Sequence, residues 1–162
     1  MQKITPSLWF DNNAEEAMNY YVSVFKNSKI NSIDRYPDES WDEHFKGMKD
    51  KVLNGNFTLD GQDFICLDGG PYFKFNEAVS FTIDCEDQAE VDYYWEKLSH
   101  VPESEQCGWC KDKFGMSWQV VPRRMGELLT GDDPEGVKRT TMAMMKMHKL
   151  DVAALEAAYD GR

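Results

Sequence analysis

The chain has 162 residues, 41% of them apolar and 13% aromatic, enough to bury a sizeable core. Its 18 lysines and arginines stand against 29 aspartates and glutamates, a net charge of -11. That balance excludes the clustered positive charge by which nucleic acid or an anionic membrane is bound. No stretch reaches the roughly 18 apolar residues of a membrane span, and MQKITPSLWF carries no apolar signal region, so the cytoplasm is the expected location. The expected partners are a small molecule and a second copy of the chain.

A first module spans about residues 3–68. An apolar run through Leu8 and Phe10 stops at Asp11, and apolar residues then recur at helical spacing, so a strand leads into an amphipathic helix. Lys29 to Tyr36 is strand-like, and Pro37 to Asp50 is acidic and irregular. Val52 to Leu59 and Asp63 to Leu67 flank Asp60-Gly61, a hairpin signal. The module reads as β, α, then three strands. Gly69-Gly70-Pro71 opens a linker over 69–77.

A second module, about 78–122, has a strand at Ala78 to Asp84 and a helix from about Gln88 to Ser99. A poorly patterned stretch around Pro102 precedes a hairpin of Glu105 to Lys111 with Met116 to Val121, turned at Gly115. Residues 123–162 form a helical tail, with Asp132-Asp133-Pro134 as one helix start and Asp151 capping Val152 to Tyr159. Met142, Met144, Met145 and Met147 suit adaptable core filling or a subunit contact better than a cofactor groove.

The two modules share a pattern. LWFDNNAEEAMNYYVSVF, from Leu8, lies over FTIDCEDQAEVDYYWEKL, from Phe81, at a constant offset of 73 residues. Asp11 falls on Asp84, Tyr20 and Tyr21 on Tyr93 and Tyr94, and Met18 on Val91. Fixed-offset self-similarity marks a repeated structural unit.

The four cysteines suit reduced thiols. Cys107-Gly108-Trp109-Cys110 spells C-x-x-C, but no second such pair completes a zinc site. On an extended strand these two side chains would point to opposite faces.

A twofold βαβββ repeat resembles the vicinal oxygen chelate superfamily, the glyoxalase and extradiol dioxygenase fold. It is closer still to the PhnB-like branch labelled 3-demethylubiquinone-9 3-methyltransferase. The segments carrying the resemblance are LWFDNNAEEAMNYYVSVF, LDGQDFICLDGGPYFKFNEAVSF and QCGWCKDKFGMSWQVVP. It implies an α+β fold of paired βαβββ modules with a helical C-terminal tail, sheets curved around a cavity, and homodimerisation.

The superfamily's chemistry implies a divalent metal on inner strands. The positions of this chain that match the ligand slots are Thr5, Ile65, Ala78 and Gln119, and only Gln119 offers even a weak oxygen ligand. No metal and no other cofactor is therefore expected. Binding S-adenosylmethionine would need a Gly-rich turn opening a helix, whereas Gly69-Gly70-Pro71 runs into Tyr-Phe-Lys-Phe.

Period-2 alternation assigns Leu8, Phe10, Val79, Phe81 and Ile83 to the helix-covered face. The cavity side then holds Ser7, Trp9, Ser80, Thr82, Ser117 and Gln119, with Cys107 and Trp109 beside them. These eight are the candidate ligand-binding residues, suited to a flat or uncharged organic molecule held by stacking and a few hydrogen bonds. The expected function is metal-independent binding of such a ligand. The alternatives are side chains that merely fill a core, or an enzyme that is metal-free or recruits a displaced metal through Asp68, Glu77, Cys107 or Gln119.

Overall fold

Residues 2–162 are described by a computed structural model and divide into two compact units, one running to Lys74 and one from Phe75 to Arg162. In the first, β1 (Ser7–Phe10) leads to α1 (Ala14–Val24), followed by β2 (Lys29–Arg35), β3 (Val52–Leu59) and β4 (Gln62–Asp68). The sheet order is β1-β4-β3-β2, with β1 parallel to β4 and the rest antiparallel. Asp60 and Gly61, at φ 45° and 80°, form the two-residue turn between β3 and β4. Positive φ at both centres is what the right-handed strand twist requires, and glycine adopts it without strain.

The alternation along β1 puts Leu8 and Phe10 inward, and α1 buries Ala14, Ala17, Met18, Tyr21 and Val24 against Val52, Phe57, Phe64 and Cys66. Asn13 does not cap α1 with its side chain. Instead Asp68, 2% exposed at the end of β4, accepts the Ala14 amide at 2.8 Å and the Val52 amide at 2.9 Å. One buried carboxylate thus ties a helix start to two strands. Its charge is met by hydrogen bonds from backbone donors.

The second unit has β5 (Ser80–Cys85), α2 (Gln88–Leu98), β6 (Trp109–Lys111) and β7 (Ser117–Pro122) in the order β5-β7-β6. Asp87 caps α2 by accepting the Glu90 amide at 2.9 Å. Met18 and Val91, paired by the repeat, are both fully buried. Val79 departs from its expected strand place: it precedes β5 and is 64% exposed.

The expected strand from Glu105 is shortened. Gln106 and Trp109 exchange backbone bonds around a tight turn whose centres, Cys107 and Gly108, have φ of 50° and 84°. Cys107 therefore stands in a turn, so strand alternation does not govern it and Cys110, although all four cysteines are free thiols. A side chain at Gly108 would meet Leu150 Cδ1 at 2.8 Å, and the left-handed φ adds to the demand for glycine.

The tail comprises α3 (Arg123–Leu129), α4 (Pro134–Met144) and α5 (Val152–Asp160). Asp133 and Asp151 cap α4 and α5 as the sequence predicts, and the Arg139 guanidinium donates to the carbonyls of Ala158 and Tyr159 at the end of α5. The segment before α5 is fastened by main-chain bonds, Cys107 N–H to Met147 O and Gly108 N–H to His148 O, both 2.8 Å. Gln88 of α2 adds bonds to Leu150 O and from the Val152 amide. Leu150, Leu155 and Thr140 are the buried anchors, while Met142 and Met145 are 54% and 62% exposed and do not fill a core.

Candidate functional site

The second sheet gathers most of the predicted site. Its registers pair Ser80 with Ser117, Thr82 with Gln119, Trp109 with Gln119 and Lys111 with Ser117. Cross-strand partners share a face, so Ser80, Thr82, Trp109, Ser117 and Gln119 form two adjacent rows on one side. The opposite side carries Cys110 and Trp118 into the core. Trp118 is fixed there by its indole N–H, donated to Asp112 Oδ2 at 2.8 Å. The other Asp112 oxygen accepts the Phe114 and Met116 amides, so this 1% exposed carboxylate sets the β6–β7 turn and the orientation of both rows.

Within the rows, Gln119 Nε2 donates to Ser80 Oγ at 2.9 Å. Thr82 is exposed, and Trp109 and Gln119 are half-buried. Ser117, which alternation assigns to the cavity side, is 1% exposed, and its hydroxyl has no hydrogen-bond partner. Cys107 lies apart in its turn, where Gln106 Nε2 approaches its sulfur at 3.2 Å. Burial pushes the Cys66, Cys85 and Cys110 thiols up to about 12, which keeps them protonated and poorly nucleophilic.

Lys111 and Glu77 complete this face. Lys111 stands opposite Ser117, and its ammonium pairs with the Glu77 carboxylate, which the pairing holds below its usual range. Sequence reasoning places Lys111 at the end of a hairpin strand and weighs Glu77 as a strand-end acid or a ligand of a displaced metal, and it does not pair the two. Their alignment depends on the β6–β7 register, and no local pattern announces it.

In the first unit, Ser7 and Trp9 share a face with Ile65 and Leu67 through the β1–β4 register. Ser7 is exposed. Trp9 is engaged by the chain after β4: its indole N–H donates to Gly70 O at 2.9 Å, its ring meets Phe73 edge-on at 4.9 Å, and a Cβ on Gly69 would fall 2.1 Å from it. At the start of α1 a depression of about 280 Å³ lies among Asn12, Asn13, Asp50 and Lys51. Beside it Arg35 grips Glu15 through two bonds of 2.8 and 2.9 Å, a clasp between β2 and α1 that holds the Glu15 carboxyl below its ordinary range.

The metal slots implied by the fold do not fit a divalent cation. Thr5 and Ala78 precede β1 and β5, Ile65 is aliphatic, and Gln119 is one neutral amide. Among the described residues no three His, Cys, Asp or Glu side chains come together to hold an ion. The acids weighed for a displaced site are engaged elsewhere, Asp68 by amides and Glu77 by Lys111. His44 lies beside Asp42 and His148 beside Glu105, both largely exposed. Gly69-Gly70 is followed by turn and coil up to β5, without the helix a nucleotide-type methyl donor site would use.

Two α/β units, each with a mixed sheet preceded by a strand-to-helix start, β1–α1 and β5–α2, define the glyoxalase-like class of domain. The chain belongs to the family whose model is described as 3-demethylubiquinone-9 3-methyltransferase, which matches residues 2–121. A Bacillus cereus structure bearing that label and the name PhnB protein is 40% identical, with a TM-score of 0.62 over 75% of this chain and 99% of that one. A Pseudomonas aeruginosa structure, 18% identical over 75% and 98%, shares the fold at a TM-score of 0.57. No curated protein matches the chain. The family match ends before α3, so the helical tail lies outside it. No helix among the described residues is long and apolar enough to cross a membrane.

Proposed function

We propose that the protein binds a small organic ligand on the polar and aromatic face of its second sheet, without a metal. The observation that carries this reading is the buried, unpaired hydroxyl of Ser117 in line with Gln119, Ser80 and Trp109. A buried hydroxyl left without a partner costs free energy, and binding sites are where that cost is retained because a ligand relieves it. Trp109 supplies a flat apolar surface, and Gln119 and Ser80 supply orienting polar atoms. Ser7 and Trp9 belong to a comparable face of the first sheet, with Trp9 held by the segment after β4.

The donor set at the inherited metal slots supports metal independence. Zn, Ni, Mn or Mg should leave the melting temperature unchanged, since a ligand stabilises only by preferential binding to the folded state, by about 2.7 kcal/mol at a hundredfold excess over its dissociation constant. A saturable shift abolished by Gln119→Ala would instead support a metal-using enzyme of the glyoxalase or dioxygenase kind.

A further inference from the structure

We propose that the Glu77 carboxylate is an internal stand-in for the carboxylate of an acidic ligand, and that the Lys111–Glu77 pair closes over Ser117 until such a ligand displaces it. The inference rests on the binding face proposed above and names the ligand class it takes.

The register carries the argument. Ser80, Ser117 and Lys111 lie side by side on β5, β7 and β6. Strands two apart in a sheet are about 10 Å apart. Glu77 approaches from the β5 side, three residues before Ser80, so the ammonium of Lys111 on β6 meets it by crossing the β7 row. That path carries the apolar stem of Lys111 past Ser117, a side chain that is 1% exposed at the start of a sheet face and whose hydroxyl has no hydrogen-bond partner.

Displacing Glu77 leaves an ammonium, a serine hydroxyl and the Gln119 amide at one end of the face, with Trp109 in the next row. Two neutral donors and one cation match the two oxygens of a carboxylate, and the indole matches an attached ring. Glu77, 60% exposed, swings into solvent without a burial cost, so the pair is a weak internal competitor rather than a structural bridge. With a chain charge of -11, this lysine has to supply the local attraction for an anion.

The test uses 4-fluorobenzoate and its neutral counterpart 4-fluorobenzamide, followed by fluorine NMR at 150 mM salt, on the full chain and on Glu77→Gln and Lys111→Met. Removing the internal competitor should tighten benzoate binding by about five-fold in Glu77→Gln, the scale of an exposed ion pair, with benzamide unchanged. Lys111→Met should abolish the preference for benzoate while keeping benzamide. Amide spectra of the variants check that the fold is intact. Equal benzoate affinity in Glu77→Gln and the parent, or in Lys111→Met and the parent, would overturn the inference and leave the binding face standing. Failure of both probes to bind all three proteins would contradict the face itself, and the inference with it.

Discussion

One buried carboxylate, Asp112, fixes the β6–β7 turn from which the binding face is built. Asp112 accepts two amides and an indole N–H. Asp112→Asn would turn an amide donor toward at least one of those donors, so we expect a loss of about 1–3 kcal/mol by urea denaturation. Combining it with Trp118→Phe should cost less than the two separate losses together, because the stranded donor is gone. Ser117→Ala should have the opposite sign, leaving stability unchanged or raising it by up to about 1 kcal/mol, since it deletes an unsatisfied hydroxyl. A loss above 1 kcal/mol would mean that Ser117 has a structural partner.

The thiols give a pH dependence with a defined sign. Cys66, Cys85 and Cys110 are raised from 9.0 to about 12, so the folded chain holds protons that the unfolded chain has released. Their contribution is full below about pH 9 and is lost as pH climbs toward about 12. In native protein one thiol, half-exposed Cys107, should react quickly with a disulfide reagent, and three should react only on unfolding. Two or more fast thiols would contradict the burial.

At the scale of elements, the Cys107-Gly108 turn joins the binding sheet to the tail. Its two amides are taken by Met147 and His148, and Val120 N–H donates to Gly108 O. Gly108→Ala meets both a left-handed φ and Leu150, and should cost about 1–3 kcal/mol. Hydrogen exchange should show faster exchange at Cys107, Gly108 and Val152 together, because all three lose the same docking. Faster exchange confined to the turn would show that the tail is held independently.

The elements were largely legible: β3 begins and ends where alternation and Asp60-Gly61 place it, and both acidic caps of the tail read directly. Those signals are local. Asp68 capping α1 from 54 residues away was not legible, nor was the turn at Cys107, where cysteine occupies a positive φ better suited to Asn or Gly. The site followed the same division. Alternation put Ser80, Thr82, Ser117 and Gln119 on one face, but the pairing of Lys111 with Glu77 needs the β6–β7 register and the approach to β5 at once.

For the whole molecule, exposed Trp41, Tyr72, Phe73, Met142 and Met145 are large apolar side chains that a second copy could cover. Light scattering at micromolar concentration should give a dimer mass, and an interface of that stability buries above about 1,000 Å². A monomer mass throughout would remove the dimer from the account.

Metal-free ligand binding by the second sheet is tested most directly by titrating EDTA-treated, isotope-labelled protein with benzamide. The prediction is saturable amide shifts centred on Ser80, Thr82, Trp109, Ser117 and Gln119, with the same affinity after Zn or Mg is restored. Shifts centred elsewhere, or binding that appears only with the metal, would contradict it.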